Sequence, residues 1–258
     1  MGAMPRSLLA MLASVSLASC ATSRSRAQPP PPMLTGTPGR LALELPRDAP
    51  PMGLTPGIHR LNSESGSALL YVPTERPGPR PLLVVFHGAS GQARTMIDLL
   101  EAQAEEQGVL LLAPQSADRT WDRITGDYGI DAAVLQQLLT AVAALVPVDP
   151  ARVGVGGFSD GASYALSLGL DNGDVFSSVV AFSPGFIAPE HRRGTPRVFV
   201  AHGTADQVLN VDQCGRAIVA RLKEMGYGVT YREFAGPHVV PDDVAVAGAK
   251  WFAEGAGS

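Results

Sequence analysis

At 258 residues, with 45% hydrophobic and 17% charged side chains, the chain can bury one full-sized core or two small ones, and it is not disordered, collagenous or a coiled coil. A formal charge of −4 offers no basic field to phosphate backbones, so nucleic acid is not an expected partner. Two cysteines, Cys20 and Cys214, are too few for a disulfide scaffold, and no Cys/His spacing points to a metal.

The chain starts Met-Gly-Ala-Met-Pro-Arg, continues as an apolar run from Leu8 to Leu17 and reaches Ala18-Ser19-Cys20. A charged region, a short apolar region and small residues at a cleavage point are the parts of a secretory signal. The run is shorter than the roughly 20 apolar residues a permanent span needs. Leu17-Ala18-Ser19-Cys20 resembles the bacterial lipobox, which implies lipid attachment at Cys20. Ordinary cleavage after Ala21 or Ala27 is the alternative. The expectation is a signal over residues 1–20 and an exported protein, either anchored to the cell envelope through Cys20 or periplasmic or secreted. A Pro-rich tether follows over 21–40, with Pro29 to Pro32 in sequence, and the folded domain covers 41–258.

Within that domain, short runs at 57–61 and 68–72 flank the turn formers of 62–67 and predict an antiparallel edge pair. Pro81-Leu-Leu-Val-Val-Phe86 is apolar without alternation, as in a strand buried on both faces. The pattern then predicts a helix at 95–107, a strand at 109–113, a helix at 130–145, a strand at 152–156 and a helix at 161–170. Strands at 178–182 and 197–201, a helix at 212–225, a strand at 229–234 and a helix at 242–253 complete the chain. Such alternation implies an α/β fold: a mostly parallel sheet with helices on both faces. No insertion is long enough to form a large lid domain.

Gly157-Phe158-Ser159-Asp160-Gly161 is a G-x-S-x-G pentapeptide lying directly between a predicted strand and a predicted helix. That setting makes a sharp turn presenting an exposed serine nucleophile. A serine hydroxyl needs a base and an orienting carboxylate. In this arrangement both follow the serine, which leaves His191, His202 and His238 as candidate bases. His238 lies in the loop between the last strand and the last helix and is the choice. Asp206, just past the strand at 197–201, is the candidate acid; Asp212 is second to it and is more simply a helix N-terminal residue. The oxyanion would be met by the backbone N–H of Asp160 and by one from His87-Gly88-Ala89-Ser90-Gly91, with Ala89 the choice. His87, Gly88, Trp121 and Gln115 leave the same strand ends and are candidates to contact substrate, although a packed core indole is an equally reasonable use of Trp121 and loop capping the commoner use of Gln115. Asp127, Asp131 and Cys214 read as structural, and His59 and Arg192-Arg193 as solvated surface.

Phe86-His-Gly-Ala-Ser-Gly91, Gly156-Gly-Phe-Ser-Asp-Gly161, His202-Gly-Thr-Ala-Asp206 and Pro237-His238 together resemble the α/β-hydrolase superfamily. Within it, the similarity is to the small phospholipase/carboxylesterase group that includes acyl-protein thioesterases; polyhydroxyalkanoate depolymerase-like and feruloyl-esterase-like enzymes share the layout. The resemblance implies an α/β-hydrolase fold and transfer of an acyl group to water through Ser159, Asp206 and His238, without a cofactor. A small or polymeric ester is the partner it implies. Carboxylesterase, lysophospholipase, polyester or feruloyl esterase, and a non-catalytic binding protein of the same fold, remain open at this point.

Overall fold

The computed structural model describes residues 37–44, 53–74 and 77–255; the signal segment with Cys20, and the tether as far as residue 36, lie outside them. Gly39 and Arg40, inside the stretch expected to be tether, bond to the domain. Asn172 Nδ2 donates to the Gly39 carbonyl at 2.8 Å, and the Arg40 guanidinium meets Asp174 and Asn172. Leu41 beside them is buried.

The strands form one sheet in the order β1-β2-β4-β3-β5-β6-β7-β8. β1 (Gly57–Asn62) and β2 (Ser67–Val72) make the expected antiparallel pair, and β2 is also antiparallel to β4 (Leu110–Pro114). From β4 through β3 (Arg80–Phe86), β5 (Val148–Phe158), β6 (Ser178–Phe182), β7 (Arg197–Gly203) and β8 (Val229–Phe234), every pairing is parallel. β3 shows why helices are needed on both sides: Leu82, Val84 and Phe86 enter one core cluster, Leu83 and Val85 the other. α3 (Ile130–Leu145), α4 (Asp160–Asp171) and α5 (Ala217–Glu224) close the first face with Leu135, Leu139, Leu166 and Ile218. α1 (Ala93–Gln107) and α6 (Asp242–Ala253) close the second with Ile97, Leu100, Val244 and Phe252.

Two elements differ from the sequence pattern. A single turn, α2 (Asp122–Thr125), interrupts the β4–α3 connection; it has no apolar periodicity to betray it and is held by Asp122, whose Oδ2 accepts the N–H of Gly129, Asp131 and Ala132. The helix expected over 212–225 divides into a π turn, Asp212–Arg216, and α5.

Parallel strands bring their carboxyl ends to one rim, where residues 87–92, 115–121, 183–196, 204–211 and 235–241 gather. The segment 183–196 carries no helix and is strapped to α4. Ser163 Oγ accepts the Gly185 N–H at 2.9 Å, Ser167 Oγ that of Ala188 at 3.1 Å, and Asp171 those of Glu190 and His191 at 3.0 and 2.6 Å. Residues 163, 167 and 171 form one stripe along the helix, so the loop is a fixed wall of the rim.

Candidate active site

Ser159 lies between β5 and α4 with φ 58° and ψ −122°. Its N–H donates to the Phe182 carbonyl at 3.0 Å, and its own carbonyl accepts the N–H of Ala162 and Ser163 at 3.0 Å each. The chain thus reverses sharply at the serine, and only very small neighbours fit. A Cβ on Gly161 would stand 2.1 Å from the Phe86 carbonyl oxygen and 2.5 Å from that of His87. Among the described residues, the non-glycine positions with positive φ are Ser90, Ser159 and Ser183, just past the ends of β3, β5 and β6. Each such conformation costs on the order of 1–3 kcal/mol and persists only where its surroundings impose it.

The candidate base and acid meet this serine. His238 Nε2 lies 2.9 Å from Ser159 Oγ, and His238 Nδ1 lies 2.6 Å from Asp206 Oδ2. Since a carboxylate only accepts, Nδ1 carries the hydrogen and Nε2 is left to receive the serine proton. Asp206 Oδ1 accepts the N–H of Val208 at 2.9 Å and of Leu209 at 2.8 Å. Burial pushes the Asp206 pKa up, but the donors from Leu209, His238 and Val208 outweigh it and hold the carboxyl below its ordinary value. The group is therefore an anion at neutral pH. Phe158 lies against the His238 ring at 4.8 Å.

Gly88 adjoins the candidate nucleophile: a Cβ there would lie 3.3 Å from that of Ser159. The loop that follows is pinned at its carbonyls. Trp121 Nε1 donates to the His87 carbonyl at 2.8 Å, while the Gly88 carbonyl accepts from Gly91 N at 2.9 Å and from His87 Nδ1 at 2.8 Å. The N–H of Ala89 and that of Asp160 donate to no protein acceptor among the described residues.

Three of the residues expected at the substrate face lie elsewhere. Trp121 is 1% exposed, stacked on Tyr164 at 5.2 Å and edge-on to Phe86 at 4.7 Å, and is a core residue. His87 is also 1% exposed; its Nε2 accepts the N–H of Ser116 and an amide hydrogen of Gln115, and burial lowers its pKa against the opposing bond to Gly88. It stays uncharged. Gln115 Oε1 accepts the Ala93 N–H at 3.0 Å, so this side chain caps α1 and links it to His87 rather than facing a ligand. Gly88 lies beside Ser159.

The other candidates separate cleanly. Asp212 is exposed and pairs with Arg216, away from His238. Asp131 accepts the N–H of Ala117 and Asp122 at 2.8 Å each; Asp127 is exposed beside Arg123. Cys214 is half-buried; His59, expected as solvated surface, is half-buried too, with Nε2 2.7 Å from the Thr55 carbonyl; Arg192 is exposed, and Arg193 donates to the Asp171 carbonyl. His202, set aside as a base, lies fully buried with Nε2 3.3 Å from Asp206 Oδ2. Its place beside the carboxylate depends on the turn after β7, although the spacing His202-x-x-x-Asp206 at a strand end hints at it. Among the described residues no three His, Cys, Asp or Glu converge as a metal site, and no helix is long and apolar enough to cross a membrane. Cavities of about 490 Å³ by Arg80 and Pro147 and about 640 Å³ by Asn62 and Gln137 are lined by neither Ser159, His238 nor Asp206.

Known proteins share this framework. Residues 80–239 match the family Esterase, described as "Putative esterase". Over 230 residues the chain is 28% identical to "Putative esterase NocK" of Nocardia uniformis subsp. tsuyamanensis, covering 82% of this chain and 67% of that one. Over 101 residues it is 34% identical to Acyl-protein thioesterase 1 of Neurospora crassa, covering 35% of this chain and 40% of that one. In fold it is similar to the serine hydrolase FphF of Staphylococcus aureus, with a TM-score of 0.64, 16% identity, and coverage of 77% of this chain and 99% of that one. With the family match spanning more than half of its length and an α/β-hydrolase fold, the chain belongs to the esterase family and is a carboxylesterase-type hydrolase.

Proposed function

We propose that Ser159 is the nucleophile of an exported ester hydrolase, with His238 as general base and acid, Asp206 as its orienting anion, and the N–H groups of Ala89 and Asp160 as the oxyanion site. The observation that carries this reading is the continuous contact from Ser159 Oγ to His238 Nε2 at 2.9 Å and from His238 Nδ1 to Asp206 at 2.6 Å. As Ser159 Oγ bonds to the carbonyl carbon, its proton passes to His238 Nε2 and the carbonyl electron pair moves onto oxygen. Collapse expels the alcohol, which leaves with that proton, and an acyl-serine remains. Water repeats the sequence: His238 takes one proton and returns it to Ser159 Oγ as the carboxylic acid departs. A general base of this kind contributes about 10²–10⁴ in rate, and each fixed oxyanion donor about 10²–10³.

The substrate is proposed to be an ester with an apolar group. Phe186, Val208 and Val239 are exposed apolar side chains on the loops that follow β6, β7 and β8 at this rim, a surface suited to a lysophospholipid, feruloyl or polyester acyl group as well as to simple esters. Export, and lipid attachment at Cys20, are proposed from the signal segment alone. One experiment covers both parts of the reading: the full chain and its Ser159→Ala variant are expressed in a bacterial host fed a radiolabelled fatty acid, and the recovered proteins are assayed on nitrophenyl esters of rising acyl length. Ser159→Ala should lose roughly 10⁴-fold or more in turnover while keeping its thermal midpoint. Near wild-type turnover in that variant would refute the mechanism, and a protein retained unlabelled in the cytoplasm would refute the export.

A further inference from the structure

His202 takes no part in the steps above, yet it is fully buried within 3.3 Å of the carboxylate that those steps require. Its Nε2 lies 2.8 Å from the Leu209 carbonyl oxygen. A carbonyl only accepts, so Nε2 carries a hydrogen and donates it there. The N–H of the same Leu209 donates to Asp206 Oδ1 at 2.8 Å, beside that of Val208 at 2.9 Å. One imidazole therefore grips, from inside the domain, the turn whose two amides hold one oxygen of Asp206 and leave the other for His238. On its other side the ring has no polar partner among the described residues: Nδ1 is buried without a hydrogen bond. Gly215 of the π turn closes over it, and a Cβ on that residue would stand 2.8 Å from both Nδ1 and Cγ and 2.9 Å from Cβ of His202. The ring is thus fixed by one hydrogen bond in front and by backbone behind.

We propose that His202 is a positioning residue for the reaction at Ser159: by clamping the Leu209 carbonyl it keeps the 206–209 turn in the one conformation that aims Asp206 Oδ2 at His238. The inference rests on the reading of Ser159 as nucleophile. Loss of the clamp should let the turn relax and weaken the hold on the imidazole, and misplacement by about 1 Å can lower turnover by roughly 10²-fold. Substrate binding should be spared, because His202 is sealed from the rim.

The test compares the full-length wild type with His202→Phe, His202→Gln and Gly215→Ala. His202→Phe keeps a planar ring and removes the donor. His202→Gln replaces the donor with an amide hydrogen at similar reach. Gly215→Ala leaves the imidazole chemically intact but drives a methyl into it. Each is measured for thermal midpoint, for kcat and KM on nitrophenyl acetate, and for the second-order rate of labelling of Ser159 by an alkyl fluorophosphonate. The expected result is a 10- to 100-fold fall in kcat and in labelling rate for His202→Phe and Gly215→Ala, with KM within about twofold of wild type, and recovery of at least about tenfold in His202→Gln. If His202→Phe does not fold, the glutamine and alanine variants carry the same comparison. A kcat within twofold of wild type in a folded His202→Phe or Gly215→Ala overturns the proposal. So does a His202→Gln variant no better than the phenylalanine, or as slow as Gly215→Ala. Wild type that hydrolyses the ester but is not labelled at Ser159 would instead refute the nucleophile, and this inference with it.

Discussion

Trp121→Phe decides whether the indole supports the site from behind or lines it. The substitution keeps an aromatic ring against Phe86 and Tyr164 but deletes the N–H that reaches the His87 carbonyl at 2.8 Å. That carbonyl is buried, and stranding a buried acceptor costs about 1–3 kcal/mol. The smaller ring leaves a gap of a few tens of Å³, which adds about 1 kcal/mol at roughly 24 cal/mol per Å³. The sum is about 2–4 kcal/mol, and for a domain of this size it should lower the thermal midpoint by roughly 5–15 °C. Urea unfolding gives the free energy, and steady-state kinetics on a short and a long acyl ester give KM. The expected outcome is a clear loss of stability with KM unchanged on both esters. An unaltered midpoint together with a KM that rises with acyl length would refute the assignment of Trp121 to the core.

Gly161→Ala should destabilise by about 3 kcal/mol or more, opposite to the 0.5–1 kcal/mol gain ordinary for this change within a helix, because the new methyl meets the fixed carbonyls of Phe86 and His87 at 2.1 and 2.5 Å. Chemical denaturation reads the sign, and a neutral or stabilising result would mean that α4 does not approach β3 so closely. Asp131 should titrate at about 6, since burial raises its pKa more than the N–H bonds from Ala117 and Asp122 lower it. The folded state then favours the protonated form, so this group's contribution to stability is fully present below its ordinary value of 3.8 and is lost as pH rises to about 6. Asp206, held low, has the opposite sign: its contribution is present above the ordinary carboxyl range and is lost as pH falls through its depressed value. Carboxyl-carbon NMR across pH 3–8 checks the assignment, and an Asp131 inflection near 4 would contradict it.

What sequence made legible here is what depends on short spans. β3 is readable because Pro81 to Phe86 is an unbroken apolar run, and the serine turn because G-x-S-x-G sits where a strand meets a helix. His238 follows from chain order and from its place after β8. Asp206 is preferred to Asp212 from its place just past β7 alone; the turn adds that two amides converge on the first, whereas the second is spent on Arg216 in the π turn. Trp121, His87 and Gln115 leave the correct ends of the correct strands, which is all that order along the chain can report. Whether such a side chain turns outward or inward depends on partners 22 to 34 residues away, such as Ala93 for Gln115 and the His87 carbonyl for Trp121. For His202 the partners are near in sequence, Asp206 and Leu209, but they reach it only through the conformation of the turn after β7.

These inward side chains share a chemistry that bears on the proposed oxyanion site. A trans peptide holds its C=O and N–H in one plane pointing opposite ways, so whatever fixes a carbonyl also fixes the direction of the next residue's N–H. The Gly88 carbonyl is held by His87 Nδ1 and by Gly91 N, which turns the Ala89 N–H away from them. The Ser159 carbonyl is held by the first turn of α4, through Ala162 and Ser163, which sends the Asp160 N–H out of the helix end. Positive φ at Ser90 and Ser159, costly in isolation, follows from satisfying these carbonyls within so tight a reversal. The strain and the buried donors are therefore parts of one arrangement: protein atoms hold the acceptor side of two peptide planes, and the donor sides point where the proposed oxyanion site would need them.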